Sequence, residues 1–409
     1  MISKQGWINL YKPKNITSFK AINSIKKKFS IDKIGHAGTL DPMAEGVLPI
    51  AIGKATKLIP YISNMNKEYE LALEYTMAFS DADFSGFSVY DAFNSPFLNF
   101  VSKANIHFLN VAITQVFKRC PYNIRPIFGV KKSINPKALG LALKGALIGG
   151  DEQLVHRCIT EIKATQIEYD GNACWGYNWD YYTFRGGTFP KNFPNAITTY
   201  FIADALLLFV DSEFCIEKDS IIRLLVSVRS FFLNGLNRTQ FQEGFCFSYS
   251  PADAKVIYNA SALITLFLLR SINILEPINK LDNIISTSIS FLFSRIRNDG
   301  SWFYGEDKNQ KWVDSFHTEY MLEFCSEVKR YNSGTKYLPD IEKAETYYLN
   351  HFLKEQGVCP YFSENKSVYP INIHSLASMI IYLCDMNKMD DAKKVISWAF
   401  NNLYDERQK

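Results

Sequence analysis

A glycine followed by aromatic residues recurs in the second half of the chain at a nearly constant spacing. The motif reads Gly244-Phe245-Cys246-Phe247, Gly300-Ser301-Trp302-Phe303-Tyr304 and Gly357-Val358-Cys359-Pro360-Tyr361, with its glycines 56 and 57 residues apart. A related Trp175-Gly176-Tyr177 lies about 68 residues before the first copy. A period of this length fits two helices and their loops. Because one helical hairpin cannot bury both of its faces, such repeats stack, and closure of the stack gives an α/α toroid.

From about residue 100 onward the apolar residues follow a helical period, and strand patterns nearly vanish. The predicted helices are Ala196–Val210, Ile221–Leu233, Ala260–Leu269, Ile284–Arg295, Thr318–Val328, Ile341–Leu353 and Ser375–Cys384. The first 90 residues differ, since Trp7–Tyr11 and Val47–Ile52 are typical of strands and Thr17-Ser18 of a helix start. The sequence therefore predicts an α+β chain, with a small α/β domain over 1–90 and an all-α toroid over 91–409.

Composition excludes several classes of protein. A chain of 409 residues that is 47% hydrophobic and 21% charged can form two or three globular domains. Its longest uncharged run, 367–384, contains proline, asparagine and histidine, so no membrane span is predicted. The N-terminus lacks a signal-peptide pattern, which predicts a cytoplasmic protein. The eight cysteines form no CxxC pair and no HExxH occurs, so neither a zinc site nor any other metal is expected, and the thiols are predicted to be mostly buried and reduced.

Positive charge is concentrated at the front of the chain. Residues 1–70 contain 11 lysines, no arginine and 5 acidic residues, whereas the whole chain has a net charge of +4. The densest part is Lys26-Lys27-Lys28 together with Lys33. This cluster is either a surface for a polyanion or the solvated face of a helix.

One acidic residue of the front part, Asp41, lies in an unusual segment that runs from Gly35 to Pro49. The segment has three glycines around Asp41, His36 shortly before it and Pro42 directly after it, and its first part, Gly35 to Pro42, is predicted to be a loop. Glycine lets a ligand approach the backbone closely, and proline stiffens the turn that orients the carboxylate. The alternative is that Asp41 merely caps a turn.

Several motifs around this segment resemble the TruB family of tRNA pseudouridine synthases. They are Gly6-Trp7-Ile8-Asn9-Leu10-Tyr11-Lys12-Pro13, the Asp41 segment, Gly53-Lys54-Ala55-Thr56-Lys57-Leu58, Lys67-Glu68-Tyr69 and Ser80-Asp81-Ala82-Asp83-Phe84-Ser85-Gly86. The resemblance implies isomerisation of a T-loop uridine of tRNA to pseudouridine, without a cofactor.

The resemblance also implies residue roles. Asp41 would be the catalytic carboxylate, Tyr69 would stack on the uracil, and His36 would fill the space of the flipped nucleotide. Lys12 would support the loop, and Lys57 belongs to the same RNA-binding set. The pattern ends after Gly86, and the family's later arginine segment is not recognised, since 182–186 is only a poor match.

Residues 120–400 resemble α/α-toroid proteins associated with polysaccharide biosynthesis. The resemblance is carried by Cys174–Asp180, Arg185-Gly186-Gly187, Pro194–Thr199, Gly300–Glu306 and Trp312–Thr318. These loops concentrate aromatic rings and isolated acids, which suits a sugar site. The candidate residues are Trp175, Asp180, Arg185, Trp302, Glu306, Asp314 and His317. The alternatives are that the aromatic rings are core and that the acids cap loops or form ion pairs.

Three hypotheses follow. The chain is a pseudouridine synthase-like enzyme with an appended toroid, and its partner is tRNA. Alternatively, it is a carbohydrate-active or carbohydrate-binding toroid with a vestigial synthase fragment. In the third hypothesis it is a non-enzymatic fusion. Oligomeric state is not predicted.

Overall fold

The structure is a computed structural model that describes residues 5–13, 16–38, 46–59, 84–104, 106–120, 122–182, 188–331, 334–364 and 371–403. The chain divides into two compact units, Met1–Leu71 and Ala72–Lys409. Asp41, Tyr69 and Arg185, three of the predicted site residues, lie outside the described residues.

The first unit is a three-stranded antiparallel sheet with one helix. Its elements are β1 (Gly6–Lys12), α1 (Ser18–Lys28), β2 (Ile34–His36) and β3 (Gly46–Ile52), and the strand order is β1-β3-β2. Isoleucine and leucine side chains of α1 and β3 form its core. Thr17 caps α1 by accepting a hydrogen bond from Lys20 N at 3.0 Å. The predicted α/β character of this part is confirmed.

The second unit begins with a small subdomain before the helical repeats. It contains β4 (Ser85–Gly86), α2 (Pro96–Ser102), α3 (His107–Arg119) and β5 (Ser133–Ile134), and β4 pairs with β5. A buried ion pair joins Arg125 Nε to Asp91 Oδ1 at 2.7 Å. Arg125 also donates to Ser88 O, so the pair fixes the loop before α2.

Ten helices of the described chain then form the repeats. In chain order they are α4 (Pro136–Gly149), α5 (Glu152–Ala164), α6 (Ala196–Val210), α7 (Lys218–Ser230), α8 (Tyr258–Ser271), α9 (Leu281–Ser294), α10 (Ser315–Arg330), α11 (Leu338–Phe352), α12 (Ile373–Asp385) and α13 (Met389–Leu403). Each even-numbered helix packs against the next even-numbered helix and against the odd-numbered helix that follows it. The even-numbered helices are therefore the inner layer of an α/α toroid, and the odd-numbered helices are the outer layer, as the repeat predicts.

Two of the connections between helices, from α5 to α6 and from α7 to α8, contain short two-stranded ribbons. The pairs are β6 (Ile167–Tyr169) with β7 (Asn172–Cys174), β8 (Tyr181–Tyr182) with β9 (Thr188–Phe189), and β10 (Arg238–Phe241) with β11 (Gly244–Phe247).

The repeated glycines have a common structural role. Gly244, Gly300 and Gly357 have φ values of +146°, +89° and +82°, which disfavour other residues. A Cβ atom would lie 2.1 Å from Thr287 O at Gly244 and 2.4 Å from Lys394 O at Gly357. At Gly300 it would lie 2.6 Å from the Lys343 backbone. Each glycine thus lets a loop lie directly against the outer helix of the following hairpin.

Burial explains the two helix layers. Almost every residue of α6 and α8 is buried, so these helices are covered on all sides and not on one face only. The outer helices bury one face only, as in α5 and α7. No described helix is long and apolar enough to cross a membrane. All eight cysteines are free; five are buried, whereas Cys384 is exposed and Cys120 and Cys215 are half-buried.

Candidate functional site

The N-terminal ends of the inner helices lie at one end of the toroid, which we call the mouth. Loops of the next repeat hydrogen-bond to these ends: Ala196 N donates to Tyr249 O, Tyr258 N to Tyr304 O and Ser315 N to Tyr361 O. The aromatic residues of the repeat are thereby brought to the first turns of the inner helices.

Asp314 and His317 form a hydrogen-bonded pair at the start of α10. Asp314, 2% exposed, caps this helix by accepting from His317 N at 3.0 Å. Its Oδ2 atom lies 2.7 Å from His317 Nδ1 and accepts from Trp312 Nε1 at 3.1 Å. Because the carboxylate occupies Nδ1, His317 Nε2 is the ring nitrogen left for a ligand. The imidazole is thus held in one orientation.

Aromatic rings surround this pair. Tyr304 and Trp312 stack with ring centroids 4.7 Å apart, and Tyr304 is 4.7 Å from the His317 ring. Phe316 contacts both His317, at 4.0 Å, and His374 of α12, at 5.7 Å. Such rings supply flat apolar faces beside a polar pair.

Lys137, at the start of α4, reaches α10 across the interior. Its Nζ donates to Tyr320 Oη at 3.2 Å and lies 4.3 Å from the Phe201 ring centroid. Burial, opposed by the nearby Glu319 carboxyl, lowers the pKa of Lys137 to about 8. The ammonium is still mostly charged at neutral pH.

His374 lies one repeat after His317 and is exposed to solvent at the mouth. The protein atoms packed around this residue partly desolvate its ring. This desolvation, followed by the charges of Lys137 and His317, lowers the pKa of His374 to about 4. His374 and Lys137 are not among the predicted site residues. The spacing of 57 residues from His317 to His374, equal to that of the last two repeat glycines, is the signal that could have found His374.

Two predicted sugar-stacking residues lie in the core. Trp175 is 0% exposed and Trp302 is 3% exposed. Their indole N–H groups donate to Ile162 O at 3.1 Å and to Leu292 O at 2.8 Å, near the ends of outer helices. These positions favour the alternative that the motif aromatics are core residues.

The other predicted acids have hydrogen-bond partners away from the Asp314–His317 pair. Asp180 accepts from Lys191 N at 2.7 Å. Glu306 accepts a hydrogen bond from Tyr258 and lies 3.7 Å from Lys311 Nζ. Of the predicted toroid residues, the structure brings Asp314 and His317 into direct contact.

A small cavity lies beneath the Asp314–His317 pair. Its lining includes Asn259, Trp302, Tyr304, Trp312 and Met321. The volume that the centre of a water molecule can occupy in this cavity is about 10 Å³. The cavity therefore has room for about one water molecule. A sugar ring would have to occupy the open side of the mouth, where His374 lies.

In the first unit, Lys12 and His36 contact the described residues that come directly after and directly before positions 39–45 of the Asp41 segment. Lys12, 0% exposed, donates to Pro13 O at 3.0 Å and to Ile16 O at 2.9 Å. It pairs with Gly46, the first residue described after position 45. His36 ends β2, and its Nδ1 contacts Gly38 O at the other side of the segment. Both contacts fit roles in fixing the loop.

Lys57 lies at the other end of this sheet. It is exposed on a 3₁₀ turn over Gly53–Leu58 that follows β3. The seven residues of β3 separate this turn from Lys12 by about 20 Å. The sequence suggests a loop from Gly35, whereas the structure places Gly35 and His36 in β2, paired with Ala51 and Ile50.

Metal ligands do not cluster in the described parts of either unit, where no group of three or more His, Cys, Asp or Glu side chains could hold an ion.

Comparison with known proteins gives a family match for the front of the chain. Residues 26–117 match the model of the TruB family pseudouridylate synthase (N terminal domain). The match continues about 30 residues past Gly86, where the sequence motifs end. The front of this chain therefore resembles the TruB family over a longer stretch than the motifs indicate.

Curated relatives are tRNA pseudouridine synthases B. The protein of Ehrlichia chaffeensis is 35% identical over 167 residues, which are 40% of this chain and 51% of that protein. The protein of Clostridium tetani is 56% identical over 69 residues, which are 17% of this chain and 24% of that protein. The chain spans about half or less of the length of the curated relatives it matches.

Among solved structures, a sugar epimerase from a ruminal bacterium is similar, with a TM-score of 0.49 and 11% identity. The similarity covers 82% of this chain and 85% of that one.

Proposed function

We propose that this chain is a pseudouridine synthase-like protein that isomerises a T-loop uridine of tRNA through Asp41. The observation that carries the proposal is the family match over 26–117. It is joined by the curated synthases, which are identical to this chain at about a third or more of the aligned residues. The contacts of Lys12 and His36 on either side of the Asp41 segment support it, since a catalytic loop needs fixed ends.

In this proposal Asp41 acts as the carboxylate that initiates release of uracil from its ribose. The target base must leave its stack first, and Tyr69 would stack on the flipped base while His36 fills the vacated space. A partly desolvated carboxylate needs a cation to stay ionised. Residues 1–71 contain no arginine, and the first in the chain is Arg119. Within residues 1–71 the candidate cations are therefore lysines.

The proposal is tested by tritium release from unmodified tRNA that carries 5-tritiated uridine. The intact chain should release tritium, and Asp41→Asn should not. Release that is equal for both proteins, or absent from both, contradicts the proposal.

A second candidate function is that the toroid binds or acts on a carbohydrate. The observation that favours it is the Asp314–His317 pair, oriented beside the Tyr304–Trp312 stack at the mouth. An imidazole held through Nδ1 can accept and return a proton at Nε2, and the rings can stack on sugar C–H groups.

This function is tested by calorimetric titration of a glycan panel into the protein and into His317→Gln. A glycan that binds the intact chain and binds the variant more weakly supports it, and the absence of any such glycan counts against it. A folded protein that is silent in both assays supports the third hypothesis, a non-enzymatic fusion.

A further inference from the structure

We propose that the cavity beneath the Asp314–His317 pair holds one internal water molecule, and that Asn259 of α8 positions the pair through this water. The inference deepens the second candidate function and rests on it for its chemical consequence, because the pair is the proposed site of proton transfer there. The water site itself depends on neither proposed activity.

The first observation is that α8 begins unlike the other inner helices. The side chain directly before each of the other four accepts a hydrogen bond from the first turn and caps the helix; these residues are Asn135, Asn195, Asp314 and Asn372. Ile257 stands at this position before α8 and provides no such bond. Asn259 lies two residues later, inside the helix, so its amide is not used as a cap.

The second observation is a buried acceptor that lacks a protein donor. Asn259 is 3% exposed, and its Oδ1 atom accepts no hydrogen bond from the described residues. Buried side-chain acceptors in folded proteins are nearly always paired, either with another protein group or with an ordered water. We therefore expect a water molecule to donate to this oxygen.

The third observation is that one cavity joins this acceptor to the pair. Asn259 lines the cavity together with Asp314, His317 and Thr318. The volume open to the centre of a water molecule is about 10 Å³, so the cavity admits one water and no larger molecule. A water that donates to Asn259 in this cavity therefore also lies beside the first turn of α10.

The polar atoms of the lining determine the chemistry of the occupant. The Thr318 hydroxyl donates its hydrogen to Asp314 O at 2.6 Å, so it faces other partners as an acceptor through its lone pairs. Asn259 Oδ1 is an acceptor as well, and the Asp314 carboxylate adds negative charge to the same lining. The occupant must therefore donate hydrogens, which water does and an anion does not.

A water in this place connects α8 to α10 at the candidate site. It donates one hydrogen to Asn259 Oδ1 and the other to Thr318 Oγ1, and it lies against the His317 ring, which lines the same cavity. The imidazole is then held by the Asp314 carboxylate at Nδ1 and supported by the water from the cavity. Asn259 is thus a positioning residue, because it acts on His317 through the water.

The first test is a high-resolution crystal structure of the full chain. It should show one water within about 3 Å of both Asn259 Oδ1 and Thr318 Oγ1. Asn259→Leu keeps the approximate size of the side chain and removes the acceptor, so it should lose this water. Asn259→Asp keeps an acceptor and should retain it. A cavity without water in the intact chain, or a water that persists in Asn259→Leu, overturns the inference.

The second test measures the effect on the pair in solution. The ring signals of His317 in a nitrogen NMR spectrum, assigned by their loss in His317→Gln, should shift in Asn259→Leu. Asn283→Leu is the matched control, since Asn283 is exposed on the outer helix α9, and it should leave these signals unchanged. Unchanged His317 signals in folded Asn259→Leu overturn the positioning role.

These results separate the inference from the function on which it rests. If no glycan binds the intact chain, the second candidate function fails, and the water and the His317 shift are still expected. If a glycan binds while folded Asn259→Leu keeps the water and the His317 signals of the intact chain, the second candidate function stands and this inference is overturned.

Discussion

Asp314 combines three roles in one buried side chain: it caps α10, accepts from the Trp312 indole and orients His317. Loss of a cap costs about 1 kcal/mol, and an unpaired buried donor adds about 1–3 kcal/mol. We therefore expect Asp314→Ala to lower the free energy of unfolding by about 2–4 kcal/mol, measured by urea denaturation.

The matched control is Asn372→Ala at the cap of α12. The Asn372 side chain accepts from His374 N at 2.8 Å, so its removal should cost only about 1 kcal/mol. Equal costs for the two substitutions would contradict the account of Asp314.

At the residue scale, sequence reasoning found the Asp314–His317 pair because polar residues at a helix start are visible as local spacing. It did not identify Lys137, because contact between α4 and α10 depends on the curvature of the whole array. It also could not tell that Trp175 and Trp302 point into the core, since an aromatic residue near a loop glycine suits a core position and a sugar-binding surface equally.

At the element scale, the inner helices are joined by charged side chains that face the interior. Arg270 of α8 contacts Asp204 of α6 at 2.6 Å, and Glu323 and Glu327 of α10 at 3.0 and 3.5 Å. Lys144 of α4 lies 2.5 Å from Asp204. This network links four consecutive inner helices.

Removal of Arg270 should destabilise the toroid strongly. Arg270→Met leaves three carboxylates with only Lys144 and the exposed Arg330 as ion-pair partners among the described residues, and we expect a loss of about 3 kcal/mol or more. Arg330→Met is the control, because Arg330 also contacts Glu327, at 3.1 Å, but is 70% exposed. The control should lose less than about 1 kcal/mol, and a loss as large as that of Arg270→Met would refute the network's role.

The network also has a pH signature. Burial alone would raise the pKa of Asp204, but Lys144 and Arg270 outweigh burial and lower it. Asp204 therefore contributes stability above the pKa it has in the unfolded chain, and this contribution disappears as the pH falls through the lower folded pKa.

Glu319 should show the opposite dependence. Burial and the charge of Glu323 raise its pKa, so the folded state binds its proton more tightly than the unfolded state. Its contribution is favourable in acid and is lost as the pH rises above the unfolded pKa. Glu319→Gln should thus be more stable than the intact chain at pH 8, by about 1 kcal/mol or more, and the difference should shrink toward pH 4.

Urea denaturation across that pH range measures the effect, with Glu342→Gln on the exposed surface of α11 as the control. A Glu319→Gln variant that is less stable at every pH would show that the carboxylate is ionised and needed.

Among the elements, seven of the ten toroid helices were predicted, because the repeat fixes where each hairpin begins, whereas α4, α5 and α13, which lie outside the repeated motifs, were not. Ile341–Leu353 is predicted and Leu338–Phe352 is found. The short ribbons were not predicted, because strands of two to four residues are too short to show an alternation of apolar and polar residues. The strand at His36 was not predicted, because Gly35 beside it favours a loop locally. In the structure, pairing with Ala51 and Ile50 of β3 places both residues in a strand.

At the scale of the whole molecule, the chain joins a lysine-rich unit to a nearly neutral helical one. Lys26, Lys27 and Lys28 are exposed at the end of α1. If tRNA binds the first unit, alanine at these three positions should weaken binding and reduce the slope of log affinity against log salt by roughly 2–3. Filter binding at several salt concentrations measures both.

Alanine at Lys388, Lys393 and Lys394, near and on α13, removes the same charge from the second unit. This variant should keep the affinity and the salt slope of the intact chain. Equal losses in the two triple variants would contradict tRNA binding at the first unit.

The central claim is that the front of the chain converts uridine to pseudouridine through Asp41. The most direct measurement is the pseudouridine content of unmodified tRNA, mapped by mass spectrometry after incubation with the intact chain or with Asp41→Asn. The account predicts one new pseudouridine in the T-loop with the intact chain and none with the variant. An unmodified T-loop after incubation with the folded intact chain would contradict it.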